Sequence, residues 1–93
     1  MPGALTKVEL YDATMRLIRW GLWRKSRTNS LSVIGEKVDQ VVSRLPSALR
    51  SVAIDRYADN TLARATQSEL NMSEEDYAKS VWAIKMVMSN ADL

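Results

Sequence analysis

The stretch that decides the fold is Leu70-Asn71-Met72-Ser73, a four-residue interruption between two helical patterns near the C-terminus. Asn enters the left-handed region of backbone space at modest cost, so Asn71 is suited to end a helix. A Ser N-cap accepts a hydrogen bond from a backbone N–H two or three residues later, so Ser73 is suited to begin the next helix. The stretch therefore predicts a sharp turn between two helices, which is the geometry that places a second helix in a DNA groove.

Three short helical patterns surround this turn and predict a helix-turn-helix over residues 47–89. The helices are expected at residues 48–58, at residues 62–70 and from residue 74 onward. Ser47 and Thr61 are suited to cap the first two. The apolar stripe of the last helix consists of Tyr77, Val81, Ile84 and Met88.

Two further helices are predicted in the N-terminal half, at residues 7–25 and 33–44. Thr6 and Glu9 have the spacing of a capping box. Residues 24–31 are polar and lack periodicity, which indicates a loop. Pro46 ends the second helix, because the residue before proline disfavours helical geometry. The chain is therefore expected to be one all-α domain, residues 1–93, of five helices with a C-terminal helix-turn-helix.

The first predicted helix has two apolar stripes on nearly opposite sides. One consists of Val8, Tyr11, Met15, Ile18 and Leu22, and the other of Leu10, Ala13, Leu17 and Trp20. One interpretation is a central helix buried on both sides. A second is that one stripe packs in the core and the other meets a partner. A third is self-association through Leu10, Leu17 and Trp20.

The composition argues against an enzyme. Hydrophobic residues make up 46% of the chain and charged residues 26%, an ordinary globular mix. There is no Cys and no His, which removes thiol chemistry, the usual zinc sites and the commonest general base. The three glycines are isolated, so no phosphate-binding loop is present. No apolar run approaches the ~20 residues of a membrane span. We expect a soluble intracellular protein without metal or cofactor.

Positive charge is concentrated in the first half of the chain. Residues 1–50 hold nine Lys/Arg and four Asp/Glu, whereas residues 51–93 hold four and seven. The basic residues cluster at Arg16, Arg19, Arg24, Lys25 and Arg27, with Trp20 and Trp23 among them. Cations can neutralise phosphates while indole rings stack on bases. The alternative is that the tryptophans pack in the interior and the cations form a solvated rim.

The start of the last helix is unusual for a DNA-reading element. Glu74, Glu75 and Asp76 stand where Lys or Arg is normally found, and three carboxylates repel a duplex. Lys79 and Lys85 compensate these acids only in part, so phosphate contacts would come from elsewhere, such as Arg64, Arg56 and the first-helix cations. The alternative is that this helix meets a protein.

A mostly polar face of the last helix supports that alternative. It contains Glu75, Lys79, Trp82 and Met86. Trp and Met on such a face are typical of an interface anchor. The competing interpretation is that the first helix folds over this face and buries the Trp82 indole.

Three stretches together resemble a known family. They are Arg19-Trp20-Gly21-Leu22-Trp23, Val38-Asp39-Gln40-Val41-Val42 with Leu45, and residues 53–57 followed by the helix-turn-helix. The chain resembles here the antitermination protein Q family of lambdoid phages, of the phage 21 and 82 type, over most of residues 15–88. The helix-turn-helix of that family is similar to region 4 of sigma factors. The resemblance implies binding to a DNA element near a late promoter, loading onto paused RNA polymerase, and readthrough of terminators by action at the RNA exit channel.

The resemblance also implies roles for single residues. Arg64 stands where the family often has a basic residue, Ser73 at the cap of the recognition helix, and Tyr77 and Val81 at its buried positions. Two features depart from the family pattern. Gln67 replaces the small residue where the two helices touch, with Thr66 at the preceding apolar position, and the recognition helix begins acidic.

The sequence thus predicts a phage-type transcription regulator, an antiterminator that binds double-stranded DNA and bacterial RNA polymerase in the host cytoplasm. The alternative is a small protein-interaction module, an inhibitor or adaptor of a host protein, without DNA binding. A homodimer is left open. Expected nucleic-acid contacts are Arg16, Arg19, Arg24, Lys25, Arg27, Arg64 and Lys79. Expected protein-interface residues are Trp20, Glu75, Trp82 and Met86.

Overall fold

The computed structural model describes residues 6–26 and 32–91. Within them the chain forms five α-helices and no β-strand, which confirms the all-α prediction. The expected nucleic-acid contact Arg27 lies outside the described residues. The helices are α1 Lys7–Ser26, α2 Ser32–Ser43, α3 Ser47–Ala53, α4 Ala63–Leu70 and α5 Glu74–Asn90, and a π-helical segment, Ile54–Ala58, continues α3.

Helix α1 is the element around which the others pack, since α2, the π-helical segment and α5 all contact it. Its inner face consists of Ala13, Leu17 and Trp20, which are fully buried. The opposite stripe faces outward, with Val8 69% and Tyr11 65% exposed. The expectation of burial on both sides is therefore wrong. Self-association through the face of Leu17 and Trp20 is also wrong, because that face is the core.

The core is contributed by four of the five helices and the π-helical segment. It combines long aliphatic side chains with one indole and one phenol, and full burial of such a side chain stabilises a fold by about 1.5–3 kcal/mol. Its members are Ala13, Leu17, Trp20, Val38, Val42, Leu45, Val52, Ala53, Ala58, Tyr77, Ile84 and Met88. The predicted apolar stripe of the last helix is confirmed, with Val81 partly buried against this core.

A glycine sets the distance between α1 and the π-helical segment. A Cβ atom on Gly21 would lie 1.8 Å from the carbonyl oxygen of Tyr57, so the two backbones touch there. The π-helical turn is wider than an α-helical turn. Its backbone hydrogen bond runs from the N–H of Asp59 to the carbonyl of Ile54, five residues earlier, at 2.9 Å. The helix expected at residues 48–58 is therefore present, but its second half is π-helical.

The helix starts are partly as expected. Thr6 and Glu9 form the predicted capping box, with two reciprocal hydrogen bonds of 3.1 Å. The predicted caps Ser47 and Thr61 are wrong. Pro46 and Leu62 occupy the N-cap positions of α3 and α4, and neither supplies a side-chain hydrogen bond.

Candidate macromolecule-binding surface

The corner between α4 and α5 is tight and well defined. Asn71 adopts φ 53° and ψ 50°, the predicted left-handed conformation. The N–H of Met72 donates to the carbonyl of Gln67 at 2.8 Å and that of Asn71 to Ser68 at 3.4 Å, the paired bonds of a Schellman motif. Ser73 then caps α5 as predicted, its hydroxyl accepting from the Asp76 N–H at 3.0 Å. Two helices are thereby joined through three residues.

Thr66, the buried polar residue of α4, has a hydrogen-bond partner within the domain. Thr66 is fully buried, and its hydroxyl donates to the Asp55 carboxylate at 3.0 Å. Asp55 also accepts from the Thr61 N–H through its backbone carbonyl, at 2.7 Å. Thr66 departs from the apolar pattern of the resembled family, and the hydrogen bond to Asp55 explains how the fold tolerates it. Helical periodicity in the sequence does not predict this hydrogen bond. Thr66 and Asp55 lie in different helical segments and are brought together by the turn between them.

Two of the expected α1 cations are engaged within the domain. The Arg16 guanidinium donates to the carbonyl of Met88 at 3.1 Å, near the C-terminal end of α5, where the helix dipole favours positive charge. Arg24 lies 3.8 Å from the Asp39 carboxylate and 6.0 Å from the Trp20 ring centroid. Arg19 and Lys25, in contrast, are exposed.

Trp20 cannot act as an interface anchor. Its side chain has no exposed surface, and its indole N–H donates to the Asp39 carboxylate at 3.0 Å. The expected interface role is therefore wrong, and the interior alternative describes this residue. Asp39 belongs to the stretch that carries the family resemblance, but its bond to Trp20 was not anticipated from the sequence.

The outer face of α5 is acidic and bears an exposed indole. Glu74, Glu75 and Asp76 are all exposed. Lys79 pairs with Glu75 at 3.3 Å, a surface ion pair worth about 0.3–0.5 kcal/mol that offsets the Lys79 charge. Trp82 is 43% exposed, so the interpretation in which α1 buries its indole is wrong.

The two remaining residues expected at the surface, Met86 and Arg64, differ in their exposure. Met86 is partly buried on the same face of α5 as Trp82, and Arg64 is exposed on α4. The structure therefore brings Glu75, Lys79, Trp82 and Met86 onto one face, as the spacing predicts. The α1 cations Arg16 and Arg24 are only partly exposed.

A second group of cations lies between the π-helical segment and α5. The Arg56 guanidinium donates a long hydrogen bond of 3.4 Å to the Tyr77 hydroxyl and lies 5.7 Å from the Tyr57 ring centroid. Lys85 is partly buried, and the pKa of its ammonium is lowered by burial and, to a lesser degree, by the like charge of Arg56. The described part of the chain places no carboxylate within ion-pair distance of Arg56 or Lys85.

Nothing in the described residues forms a metal centre or a membrane span. No group of three carboxylate, His or Cys side chains that could hold a metal ion occurs in residues 6–26 and 32–91. Across the same residues, each helix is too short or too polar to cross a bilayer.

Comparisons of the chain with models of known protein families, with curated proteins and with solved structures give no match. The resemblance to the antitermination proteins therefore stays a prediction, and a functional assignment depends on the surfaces described above.

Proposed function

We propose that the protein is a transcription regulator of the phage antitermination type, which binds double-stranded DNA through α4 and α5 and engages bacterial RNA polymerase. The observation that supports this proposal is the corner at Asn71 and Ser73. A left-handed residue, a Schellman pair of hydrogen bonds and a serine cap hold two helices in sequence across three residues. Helix-turn-helix proteins use such a corner to set the second helix in the major groove.

The exposed cations would supply phosphate contacts. Arg64 lies on α4, the helix that crosses the DNA backbone in a helix-turn-helix complex. Arg19 and Lys25 are exposed on α1 and free of the internal contacts that hold Arg16 and Arg24. We therefore assign the larger electrostatic share to Arg19, Lys25 and Arg64, and a smaller one to Arg16, Arg24 and Lys79.

The acidic start of α5 favours a second candidate function, a protein-interaction module that acts as an inhibitor or adaptor of a host protein. Three exposed carboxylates precede an indole that is 43% exposed. Tryptophan is enriched among residues whose removal weakens protein interfaces most. In this alternative, Glu75, Trp82 and Met86 contact the partner and the α4–α5 corner only positions them.

A binding measurement on random duplex DNA at low and moderate salt separates the two functions. DNA binding predicts an affinity that falls with salt, with a slope of about 0.9 per phosphate contact in a log–log plot. Removing Arg19, Lys25 and Arg64 together is expected to lower that slope by roughly 2–3. Arg50→Ala removes an exposed cation from α3 and serves as the matched control.

The absence of binding at either salt concentration would contradict the DNA-binding proposal. Purified bacterial RNA polymerase then provides the second measurement. Capture of polymerase by the wild-type chain but not by Trp82→Ala would support the protein-interaction module. The free energy of unfolding of each variant, measured in parallel, shows whether the substituted proteins remain folded.

A further inference from the structure

Two open clefts meet at the cations between the π-helical segment and α5. One, of about 480 Å³, runs toward the outer stripe of α1 and includes Tyr57 in its wall. The other, of about 440 Å³, runs along α5 toward Trp82. Arg56, Ala63 and Lys85 belong to the walls of both clefts. A ligand that occupies the junction of the two clefts can therefore approach both cations.

The two positive charges at this junction are not neutralised within the described residues. Two ion pairs occur in the described residues. They join Arg24 to Asp39 and Lys79 to Glu75, and neither includes a cation of the junction. Glu74 contributes to the wall of the second cleft, but it is exposed and outside ion-pair distance of either cation. The contacts that hold Arg56 are a neutral hydroxyl and an aromatic ring, which orient a guanidinium without cancelling its charge.

The proximity of these charges has a cost within the protein. Burial and the Arg56 charge both lower the pKa of the Lys85 ammonium, so the folded chain disfavours the charged form of Lys85. Burial is the larger of the two causes and the Arg56 charge the smaller one. An anion bound beside both cations offsets their mutual repulsion, because an opposite charge within a few ångströms favours the charged form.

A buried hydroxyl at the same place lacks a hydrogen-bond partner. The Tyr57 oxygen is shielded from water, yet no described group lies in hydrogen-bonding geometry to it. Buried polar groups in folded proteins nearly always have a partner, so an unpartnered hydroxyl calls for a physical reason. Tyr57 is part of the wall that contains Arg56 and Lys85, but its hydroxyl oxygen is covered, so a ligand in the cleft meets the ring rather than the hydroxyl.

We infer that this cleft is a phosphate-binding site, in which Arg56 and Lys85 supply the charge. A phosphate presents several strong acceptor oxygens to one guanidinium and one ammonium, whereas a carboxylate presents two. The phosphate comes from the backbone of bound DNA, and this part of the inference rests on the proposed function.

Inorganic phosphate is the direct probe. Titration at constant ionic strength, followed by the NMR signals of the Lys85 ammonium, is expected to show saturable binding and a rise in the Lys85 pKa. Arg56→Gln and Lys85→Gln are expected to abolish the effect, whereas Tyr57→Phe removes a hydroxyl that the ligand does not reach and is expected to leave binding nearly unchanged. For the Lys85→Gln variant, the signals of neighbouring backbone amides report binding instead. Lys37→Gln, which removes an exposed cation from α2, is the control and should bind as the wild type does.

Acetate at the same concentration tests the ligand class. Phosphate binding with little response to acetate supports the inference. Equal responses to both anions, or a response to phosphate that survives Lys85→Gln, would overturn it, and equal responses would indicate an acidic protein partner instead. Lys85→Gln decides the matter if Arg56→Gln proves unfolded by circular dichroism, because Arg56 also bonds to Tyr77.

A short duplex distinguishes failure of the site from failure of the proposed function. The site predicts that Arg56→Gln and Lys85→Gln each lower the salt slope of DNA binding by about one. Wild-type phosphate binding without DNA binding would leave the site standing and overturn the proposed function. DNA binding with unchanged slopes, together with no specific response to inorganic phosphate, would overturn the site and leave the proposed function standing.

Discussion

The hydroxyl of Thr66 donates a hydrogen bond of 3.0 Å to the carboxylate of Asp55 and thereby ties α4 to the π-helical segment. Thr66 is fully buried, so its replacement by the nearly isosteric valine removes the bond without opening a cavity. We expect Thr66→Val to lower the free energy of unfolding by about 1–3 kcal/mol, because the carboxylate loses a partner at a partly buried site. Urea denaturation measures this change. Ser68→Ala, at an exposed position of the same helix, is the control, and equal stability of both variants would contradict the prediction.

The left-handed conformation of Asn71 provides a test of the corner itself. An L-residue other than Asn or Gly pays about 1–2 kcal/mol there, whereas Gly pays no such penalty. Asn71→Ala is therefore expected to destabilise the fold by about 1 kcal/mol and Asn71→Gly to leave stability nearly unchanged. Thermal unfolding of both variants measures the difference. If alanine and glycine were equally tolerated, the chain would not turn in a left-handed conformation at this residue.

Local signals in the sequence were sufficient for most of the helix ends. The Thr6–Glu9 capping box, the left-handed Asn71 and the Ser73 cap each depend on residues within three or four positions of each other, and each is found in the structure. The failed cap at Ser47 also has a local reason. Pro46 takes the N-cap position, and Ser47 becomes the first residue of α3.

Long-range contacts were beyond the reach of the same reasoning. Both stripes of α1 are apolar, and only the packing of other helices decides that Leu17 faces the core and Tyr11 faces outward. The indole bond from Trp20 to Asp39 spans 19 residues, which periodicity does not report. The sequence indicates Arg56 as a phosphate contact and Lys85 only as a partial offset to the acidic start of the last helix. Their convergence on the same two clefts depends on how α5 packs against the π-helical segment.

Leu17 and Ile18 are neighbours on α1 but belong to its two different apolar stripes, so substituting each tests which stripe faces the core. Leu17 is fully buried and Ile18 is 40% exposed. Leu17→Lys places a charge in the core and removes apolar burial, so we expect a loss of about 3–5 kcal/mol or complete unfolding. Ile18→Lys can extend its ammonium into water and is expected to cost less than about 1 kcal/mol. Circular dichroism melting curves measure both, and similar losses at the two positions would contradict the assignment of the inner face.

Gly21 and Gly35 lie in helices and are closely approached by other parts of the chain. Substitution of each by alanine tests how close the packing is. A Cβ atom at Gly21 would lie 1.8 Å from the Tyr57 carbonyl oxygen, and one at Gly35 would lie 2.3 Å from the Trp23 ring. The atoms met at Gly35 include Cβ and Cγ of Trp23, at the base of that side chain, which can shift less than a side-chain end but more than a backbone carbonyl. Alanine favours each helix by about 1 kcal/mol. We expect Gly21→Ala to destabilise by about 3 kcal/mol or more and Gly35→Ala by less. Guanidinium unfolding of the two variants gives the order, and the reverse order would show that α1 does not contact the π-helical segment so closely.

The hydroxyl of Tyr57 is predicted to reduce stability at high pH and to contribute nothing at neutral pH. Burial raises the pKa of this phenol above its ordinary value of 10.0, and the nearby Arg56 partly opposes the shift. The unfolded chain therefore releases the proton first as the pH rises. Ionisation of Tyr57 therefore leaves the stability unchanged below about pH 10, and the stability falls as the pH rises from the unfolded to the folded pKa.

Tyr57→Phe removes this titration together with a buried hydroxyl that has no partner in the described residues. We expect the variant to be as stable as the wild type at neutral pH, or more stable by up to about 1 kcal/mol, and to lose less stability on going from about pH 9 to pH 11. Denaturant unfolding at a series of pH values measures both. Lys85→Gln is the control for the opposite sign, since the lowered pKa of Lys85 makes its contribution rise with pH below its ordinary value of 10.5. A Tyr57→Phe protein that is clearly less stable at neutral pH would show that the hydroxyl already has a partner within the fold, and the stability gain expected from removing it would be refuted.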